Sequence, residues 1–350
     1  MKIVIDGRFW GPGHTGLGVY TQNLVENLTK VNKKNQYVIL QPQNVAPYTF
    51  KEQLLMPFFL YKELPDLVHF PSINIPIFYF GKYIITVHDL IKHESRGADT
   101  TTHHRLVYWP KYAIYLFVVW WAVHFAVKIL VPSNDVKKRL IAKYHLPPQK
   151  IVVTYEGAVL SPDKSSPTDL PEKFAIFAGN AYPHKNLARL ISAWQRVYKA
   201  TRVKLIISSG RSVFSKKIED LIKNKPDVIY KGYLSDQELS FTYAKALVYV
   251  FPTLAEGFGI PGLDAMRFNL PVVCSNLPVL QEIYGPAAFY FDPKDESDMA
   301  EKIIRVLTDQ DLRNKFVKLG KHQVAKYSWV KTARQTLKVY ESCSGLRSDQ

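Results

Sequence analysis

Cysteine is nearly absent from this chain of 350 residues: there are two, Cys274 in an apolar run and Cys343 near the end. Two distant thiols make no disulfide framework, and so few of them point to a reducing compartment. A long apolar stretch is also lacking. The most apolar one, Tyr112–Val127 (YAIYLFVVWWAVHFAV), falls short of the about twenty residues needed to cross a bilayer. The apolar run in MKIVIDGRF is too short for a secretory leader and reads as a first strand, so the expected residence is the cytoplasm. No short internal repeat or low-complexity tract is present, which excludes a repeat array. Acidic residues are in deficit, 30 Asp and Glu against 46 Lys and Arg, and the resulting charge of +16 calls for an anionic partner. Nucleic acid, anionic lipid and phosphorylated substrates all meet that description, and charge alone does not choose among them.

What is present reads as a globular protein: 47% of residues are hydrophobic, and the length suits roughly two domains. Short apolar runs without period-2 alternation, the pattern of parallel strands buried on both faces, alternate with helical patterns. In the first half strands are expected at Ile3–Ile5, Tyr37–Leu40, Asp66–Phe70, Tyr83–His88, Lys128–Val131 and Ile151–Tyr155. Ser161–Glu172 (SPDKSSPTDLPE) breaks the composition and reads as a linker. After it the alternation starts over at Phe174–Ala178 and runs to a helix at Asp311–Lys321. Two successive βαβ series predict an α/β protein with two doubly wound, Rossmann-like domains facing a cleft.

The stretch Thr253–Ala265 (TLAEGFGIPGLDA) joins a buried strand to a helix that begins near Pro261. Gly257 and Gly259 let backbone amides turn outward, and Pro261 suits the first helical position. Such a loop aims N–H groups and a helix dipole at an anion. Glu256 and Asp264 frame it, and carboxylates beside an anion site are at ease when they accept hydrogen bonds from neutral hydroxyls, as on a ribose or a sugar ring. The combination points to a sugar nucleotide. Asp292, Asp295 and Asp298 precede a helix and read as capping charges, not as a metal cluster.

Near the start, Gly11, Gly13 and Gly16 spell G-x-G-x-x-G, but they come several residues after the strand and no acidic residue ends the next strand. That argues against a dinucleotide cofactor. Gly16-Leu17-Gly18 opens a helix at Val19–Lys30 and is either a phosphate- or hydroxyl-facing helix start or a plain β–α connection. His88 falls at the carboxyl end of a strand, the edge where open α/β sheets bind ligands. His88 and His93 lack the spacing of the helical zinc motif, and His103 and His104 lie in a polar loop. Two readings hold for Tyr112–Val127: a buried helix, which is the simpler one, or a partly exposed helix with Trp120 and Trp121 in a membrane interface.

Taken together, Gly16-Leu17-Gly18, Val87-His88-Asp89, Ala178-Gly179-Asn180 through His184-Lys185-Asn186, Glu256-Gly-Phe-Gly-Ile-Pro261 and Tyr327-Ser-Trp329 resemble the glycosyl transferases group 1 family, retaining enzymes of the GT-B fold. The likeness extends over essentially the whole chain. It implies an acceptor-binding domain over 1–160, a nucleotide-sugar domain over 173–328, and a final helix in 329–350 that crosses back to the first domain. It also implies retaining transfer of a hexose, mannose favoured, from a GDP- or UDP-linked donor to a saccharide or lipid-linked acceptor, with no cofactor and no metal. Lys185 matches the lysine on the donor pyrophosphate, Glu256 the acid near the sugar hydroxyls, and His88 the histidine against the sugar; these three are the catalytic set. Gly16, Gly18, Asn180, His184, Gly257, Phe258, Gly259 and Ile260 complete the donor-binding set with Arg211 and Asp264. Asn180 stands where the family often has arginine, so a second cation comes from Arg211 or His184 or is missing, and Asp264 replaces a longer Glu whose reach is to the ribose. The charge and Trp120/Trp121 add an anionic membrane surface as an expected partner, on its cytoplasmic face. Two other classes remain. A sugar phosphorylase or nucleotide-sugar hydrolase would turn over without the acceptor, whereas a non-catalytic nucleic-acid-binding protein is disfavoured because Lys137-Lys138-Arg139, Lys216-Lys217 and Lys315/Lys318/Lys321 lie on separate helices. The oligomeric state is left open.

Overall fold

The computed structural model describes residues 1–10, 16–94, 105–161, 169–210 and 212–344. Gly11, Gly13, His103, His104, Arg211 and most of the Ser161–Glu172 segment lie outside the described residues. In chain order come β1 (Lys2–Asp6), α1 (Gly16–Val31), β2 (Gln36–Leu40), α2 (Phe50–Lys62), β3 (Leu67–Phe70), β4 (Tyr83–Thr86), α3 (Ile91–Glu94), α4 (Arg105–Phe125), β5 (Lys128–Val131), α5 (Asn134–Tyr144) and β6 (Ile151–Val153). Then follow β7 (Phe174–Ala178), α6 (Leu187–Thr201), β8 (Lys204–Ser208), α7 (Ser215–Ile222), β9 (Val228–Gly232), α8 (Asp236–Lys245), β10 (Tyr249–Phe251) and α9 (Ile260–Arg267). The chain ends through β11 (Val272–Ser275), α10 (Pro278–Tyr284), β12 (Ala288–Phe291), α11 (Glu296–Thr308), α12 (Gln310–Val324) and α13 (Trp329–Ser344). Two compact units result: one holds β1 to β6 together with α13, the other β7 to β12.

The first unit is a parallel sheet in the order β2-β1-β3-β4-β5-β6. Its central strands are buried on both faces, which is why their sequences (LVHF, YIIT) are apolar without alternation. Successive residues still point to opposite sides. Val68 and Phe70 join a core with Met56 and Leu60 of α2, Val119 and Val123 of α4 and Val136 and Leu140 of α5. His69 between them turns the other way, toward α13. Its Nδ1 lies 2.7 Å from the Tyr340 hydroxyl and its Nε2 2.8 Å from Thr86 Oγ1. Burial, helped by the nearby His88 charge, pushes this imidazole down to about 3, so it is neutral and hydroxyls satisfy it. The last helix α13 thereby packs on α1, with Trp329 edge-on to Tyr20 at 5.8 Å.

Two helices of this unit depart from the sequence reading. Residues 50–62, unassigned from the sequence, form α2: Thr49 caps it by accepting from Glu52 N at 3.2 Å, and Pro57 sits inside it. Apolar residues occur all round this helix, which blurs the amphipathic period. The expected Tyr112–Val127 helix is α4, which starts earlier, at Arg105; its Leu106–Phe125 is long and apolar enough, by length and composition, to cross a bilayer. The simpler expectation of a buried helix fails. Tyr112, Val119, Ala122 and Val123 face the core, whereas Leu106, Trp109, Ile114, Phe117, Trp120 and Phe125 are exposed. A helix lying on one sheet hides only the stripe that touches it, and among the described residues the rest of α4 stays exposed or half-buried.

The second unit is a parallel sheet in the order β12-β11-β10-β7-β8-β9. Its α6 buries Leu187, Leu190, Ile191, Trp194 and Val197 at helical spacing and packs against α11. Asp295 caps α11 by accepting from Ser297 N at 2.8 Å and Asp298 N at 3.1 Å, the capping role read from the sequence.

Candidate functional site

In the second unit the site is built on the turn between β10 and α9. Gly259 is the N-cap of α9 with φ of 98°, and a Cβ added there would lie 2.4 Å from the Tyr284 hydroxyl, which donates to the Gly259 carbonyl. Backbone conformation and space both demand glycine. Gly259→Ala is therefore expected to destabilise the unit by about 3 kcal/mol, read as a lower urea midpoint; an unchanged midpoint would mean that the loop relaxes freely.

Lys185 reaches the same turn from a short 3-10 segment, Pro183–Lys185. Asn186 follows in the left-handed region, φ 59°, and its amide donates to Pro252 O (3.0 Å) and Pro293 O (2.8 Å), fastening the lysine turn to the end of β10. Leu254 N donates to His184 O at 2.7 Å, a second tie. Held in this way, the Lys185 ammonium donates to the Glu256 carboxylate, and both side chains are 11% exposed. The Phe251 ring lies 5.3 Å from the same nitrogen. Lys185, expected on a donor pyrophosphate, is thus already paired with a carboxylate, and the pair is nearly dry.

The second cation does not come from His184. Burial, together with the Lys185 charge, pushes its imidazole down to about 3, so it is neutral. Asn180 accepts a long bond from Tyr182 N at 3.4 Å. Asp264 is held by backbone amides. Its Oδ1 accepts from Val159 N at 2.6 Å and Leu160 N at 3.0 Å, and burial raises its carboxyl to about 7 against the pull of those two bonds. In place of an open carboxylate reaching for a ribose, it is a buried anchor for the segment that precedes the second sheet. A cavity of about 630 Å³ opens beyond the carboxyl ends of β8 and β9, lined by Gly210, Glu219, Tyr230, Lys231, Gly232 and Tyr233. None of these six is among the site residues expected from the sequence, and Arg211 lies outside the described residues.

The first unit presents its own constellation at the carboxyl edge of its sheet. His88 follows β4; its Nδ1 is 3.1 Å from Glu156 Oε1 and its Nε2 2.9 Å from the Pro71 carbonyl. Carboxylate and carbonyl oxygens only accept, so this pair of contacts favours a proton on both ring nitrogens, the imidazolium form. Burial opposes that charge, but the bond and charge of Glu156, with the Pro71 carbonyl, outweigh it and raise the pKa above the usual histidine value. Tyr20 lies edge-on to the ring at 4.5 Å. Glu156 escaped the sequence reading although it follows β6 at the same sheet edge as His88. A second buried network was missed after β1. Arg8 binds Asp6 (2.7 and 2.9 Å) and Glu52 Oε1 (2.6 Å), to which Asn74 also donates at 2.6 Å. Gly16 opens α1, and no carboxylate stands in its first turn.

Comparison with known proteins bears on both units. Residues 162–323 match the family model for Glycosyl transferases group 1, and residues 35–161 that for Glycosyltransferase Family 4. The chain is 30% identical over 228 residues to the O-antigen chain mannosyltransferase B of Escherichia coli, a match covering 61% of this chain and 60% of that protein. It is 28% identical over 280 residues to the O-antigen chain mannosyltransferase RfbU of Salmonella typhimurium, covering 72% of this chain and 76% of the relative. Among solved structures, sucrose-phosphate synthase from Thermosynechococcus elongatus aligns over 98% of both chains with a TM-score of 0.78 at 17% identity, a likeness of fold. Two adjoining family matches, each falling on one of the two parallel sheets, leave one conclusion: the chain belongs to the group 1 glycosyltransferases, with the GT-B fold.

Proposed function

We propose that this protein transfers a hexose, mannose by analogy with the relatives' names, from a nucleotide-sugar donor to a saccharide or lipid-linked acceptor in glycan biosynthesis. Transfer proceeds with retention at the anomeric carbon and without a metal ion. The observation that carries this reading is the nearly dry Lys185–Glu256 pair beside the Gly257–Ile260 turn. A diphosphate entering there exchanges one anion for another on the lysine, so the ammonium keeps a partner while Glu256 is released to accept from sugar hydroxyls. The start of α9 adds a partial positive charge of roughly half a unit. As the bond from the anomeric carbon to the β-phosphate oxygen breaks, the acceptor oxygen bonds to that carbon from the same face and its proton passes to the leaving phosphate. Lys185 and the turn amides carry the growing phosphate charge, so positioning and electrostatics do the work with no covalent residue. The cavity beyond β8 and β9 takes the nucleobase, and GDP and UDP are the candidate carriers. The protein acts on the cytoplasmic face of an anionic membrane, and nucleic acid is no partner.

A thermal-shift panel of GDP, UDP, ADP and their sugars tests the reading. A cognate ligand at a hundred times its dissociation constant is expected to stabilise the fold by about 2.7 kcal/mol. No stabilisation by any of them removes the nucleotide-sugar donor. Sugar release that does not need an acceptor would replace transfer by hydrolysis or phosphorolysis.

A further inference from the structure

Apolar exposure in this protein is concentrated. Among the described residues, five large exposed hydrophobics lie on α2 and seven on α4, out of 22 in all. Scattered single residues of this kind are ordinary, but a cluster of this size on neighbouring elements marks an interaction surface. Both helices pack on the same side of the first sheet, because Met56 and Leu60 of α2 share one core with Val119, Ala122 and Val123 of α4. Their outer residues follow helical spacing: Phe50, Leu54 and Phe58 on α2, Ile114 and Phe117 with Trp120 on α4. Phe50 is 76% and Phe58 64% exposed, far beyond what a half-covered core side chain shows.

The charges on these two helices select the occupant. Lys51, Lys62 and Lys111 are exposed, whereas the one acidic residue of α2, Glu52, is fully buried against Arg8, and α4 has no acidic residue. The outer faces therefore present rings, leucines and cations, with no carboxylate of either helix among them. A second copy of this chain, docked through the same face, would oppose lysine to lysine on a molecule already at +16. An anionic lipid surface meets both the apolar and the cationic groups. Although α4 is long enough to span, Val119, Ala122 and Val123 hold its inner stripe on the sheet, so it lies flat.

We propose that the outer faces of α2 and α4 form one docking surface for an anionic lipid membrane, with the apolar side chains at the headgroup boundary and Lys51, Lys62 and Lys111 on lipid phosphates. This rests on the membrane reading given under Proposed function and assigns half of the surface to α2, a helix that reading does not use. The test is sedimentation of the full chain with phosphatidylcholine vesicles, with and without phosphatidylglycerol. Phe50→Ser/Phe58→Ser on α2 and Ile114→Ser/Phe117→Ser on α4 are compared with the parent, and unchanged thermal unfolding and GDP or UDP shifts certify the fold. Each pair is expected to lower the partition coefficient roughly tenfold or more, and added salt to weaken what remains. Parent-like binding of the α2 pair alone overturns the shared surface but leaves a membrane role for α4. Parent-like binding of both pairs removes the membrane reading as well. Equal binding to neutral vesicles overturns the anionic assignment, and a dimer in sedimentation that the α2 pair dissociates gives the surface to a second copy.

Discussion

Lys185→Ala is expected to lower kcat/KM for the donor by at least about a hundredfold and to weaken nucleoside diphosphate binding in step. In the proposed reaction the diphosphate is charged both when bound and when leaving, so the ammonium would act on ground and transition states together. A second effect comes from the partner it leaves behind. Glu256 is 11% exposed and loses its only cation in the described structure, and an orphaned buried carboxylate costs about 3 kcal/mol. The two effects separate in Lys185→Ala/Glu256→Gln, which replaces the charge by a neutral amide of the same shape. That double variant is expected to recover most of the stability and none of the diphosphate affinity. Nucleotide affinity equal to the parent's in Lys185→Ala would move the phosphate site elsewhere in the molecule.

His88→Ala is expected to reduce kcat by about a hundredfold while donor KM stays within about threefold, because the imidazole is assigned to the sugar and not to the base. Both of its N–H groups are already given to Glu156 and Pro71, so contact with a sugar hydroxyl requires one of these to be released. Glu156→Gln isolates the charge from the ring. The pKa of His88 is raised in the fold, so its contribution to stability is complete below the unfolded value near 6.5 and is lost as pH rises through the folded value. Removing the Glu156 charge lowers the folded value and should move that loss to lower pH. Denaturant midpoints between pH 5 and 9, with the His88 ring proton followed by NMR, measure both. An unshifted titration in Glu156→Gln would show that Glu156 does not hold the charge.

How much of this was legible beforehand follows from the range of the forces involved. The central strands of both sheets were readable because burial on both faces makes segments such as FAIFA and VVCS continuously apolar, a strictly local signal. The glycine turn before α9 was readable for the same reason, since a positive φ at Gly259 and a proline in the first helical turn are requirements of a few adjacent residues. Helix α2 was not, because apolar side chains on all its faces and an internal Pro57 mask its period. The exposure of α4 was not either: apolar composition does not say which stripe the sheet will cover.

By itself, the sequence determined that this is a parallel α/β chain with two series of strands, that a glycine-framed helix start follows the tenth strand, and that basic groups outnumber acidic ones. Only the tertiary structure decided which charges meet. Lys185 and Glu256 are 71 positions apart and His88 and Glu156 68, so no local pattern couples them. The same holds for protonation: burial holds the His69 and His184 imidazoles neutral while Glu156 raises the pKa of His88, although all three are plain histidines in sequence. Ionisation in a folded protein depends on burial and on the groups within a few ångströms, and those neighbours come from distant parts of the chain.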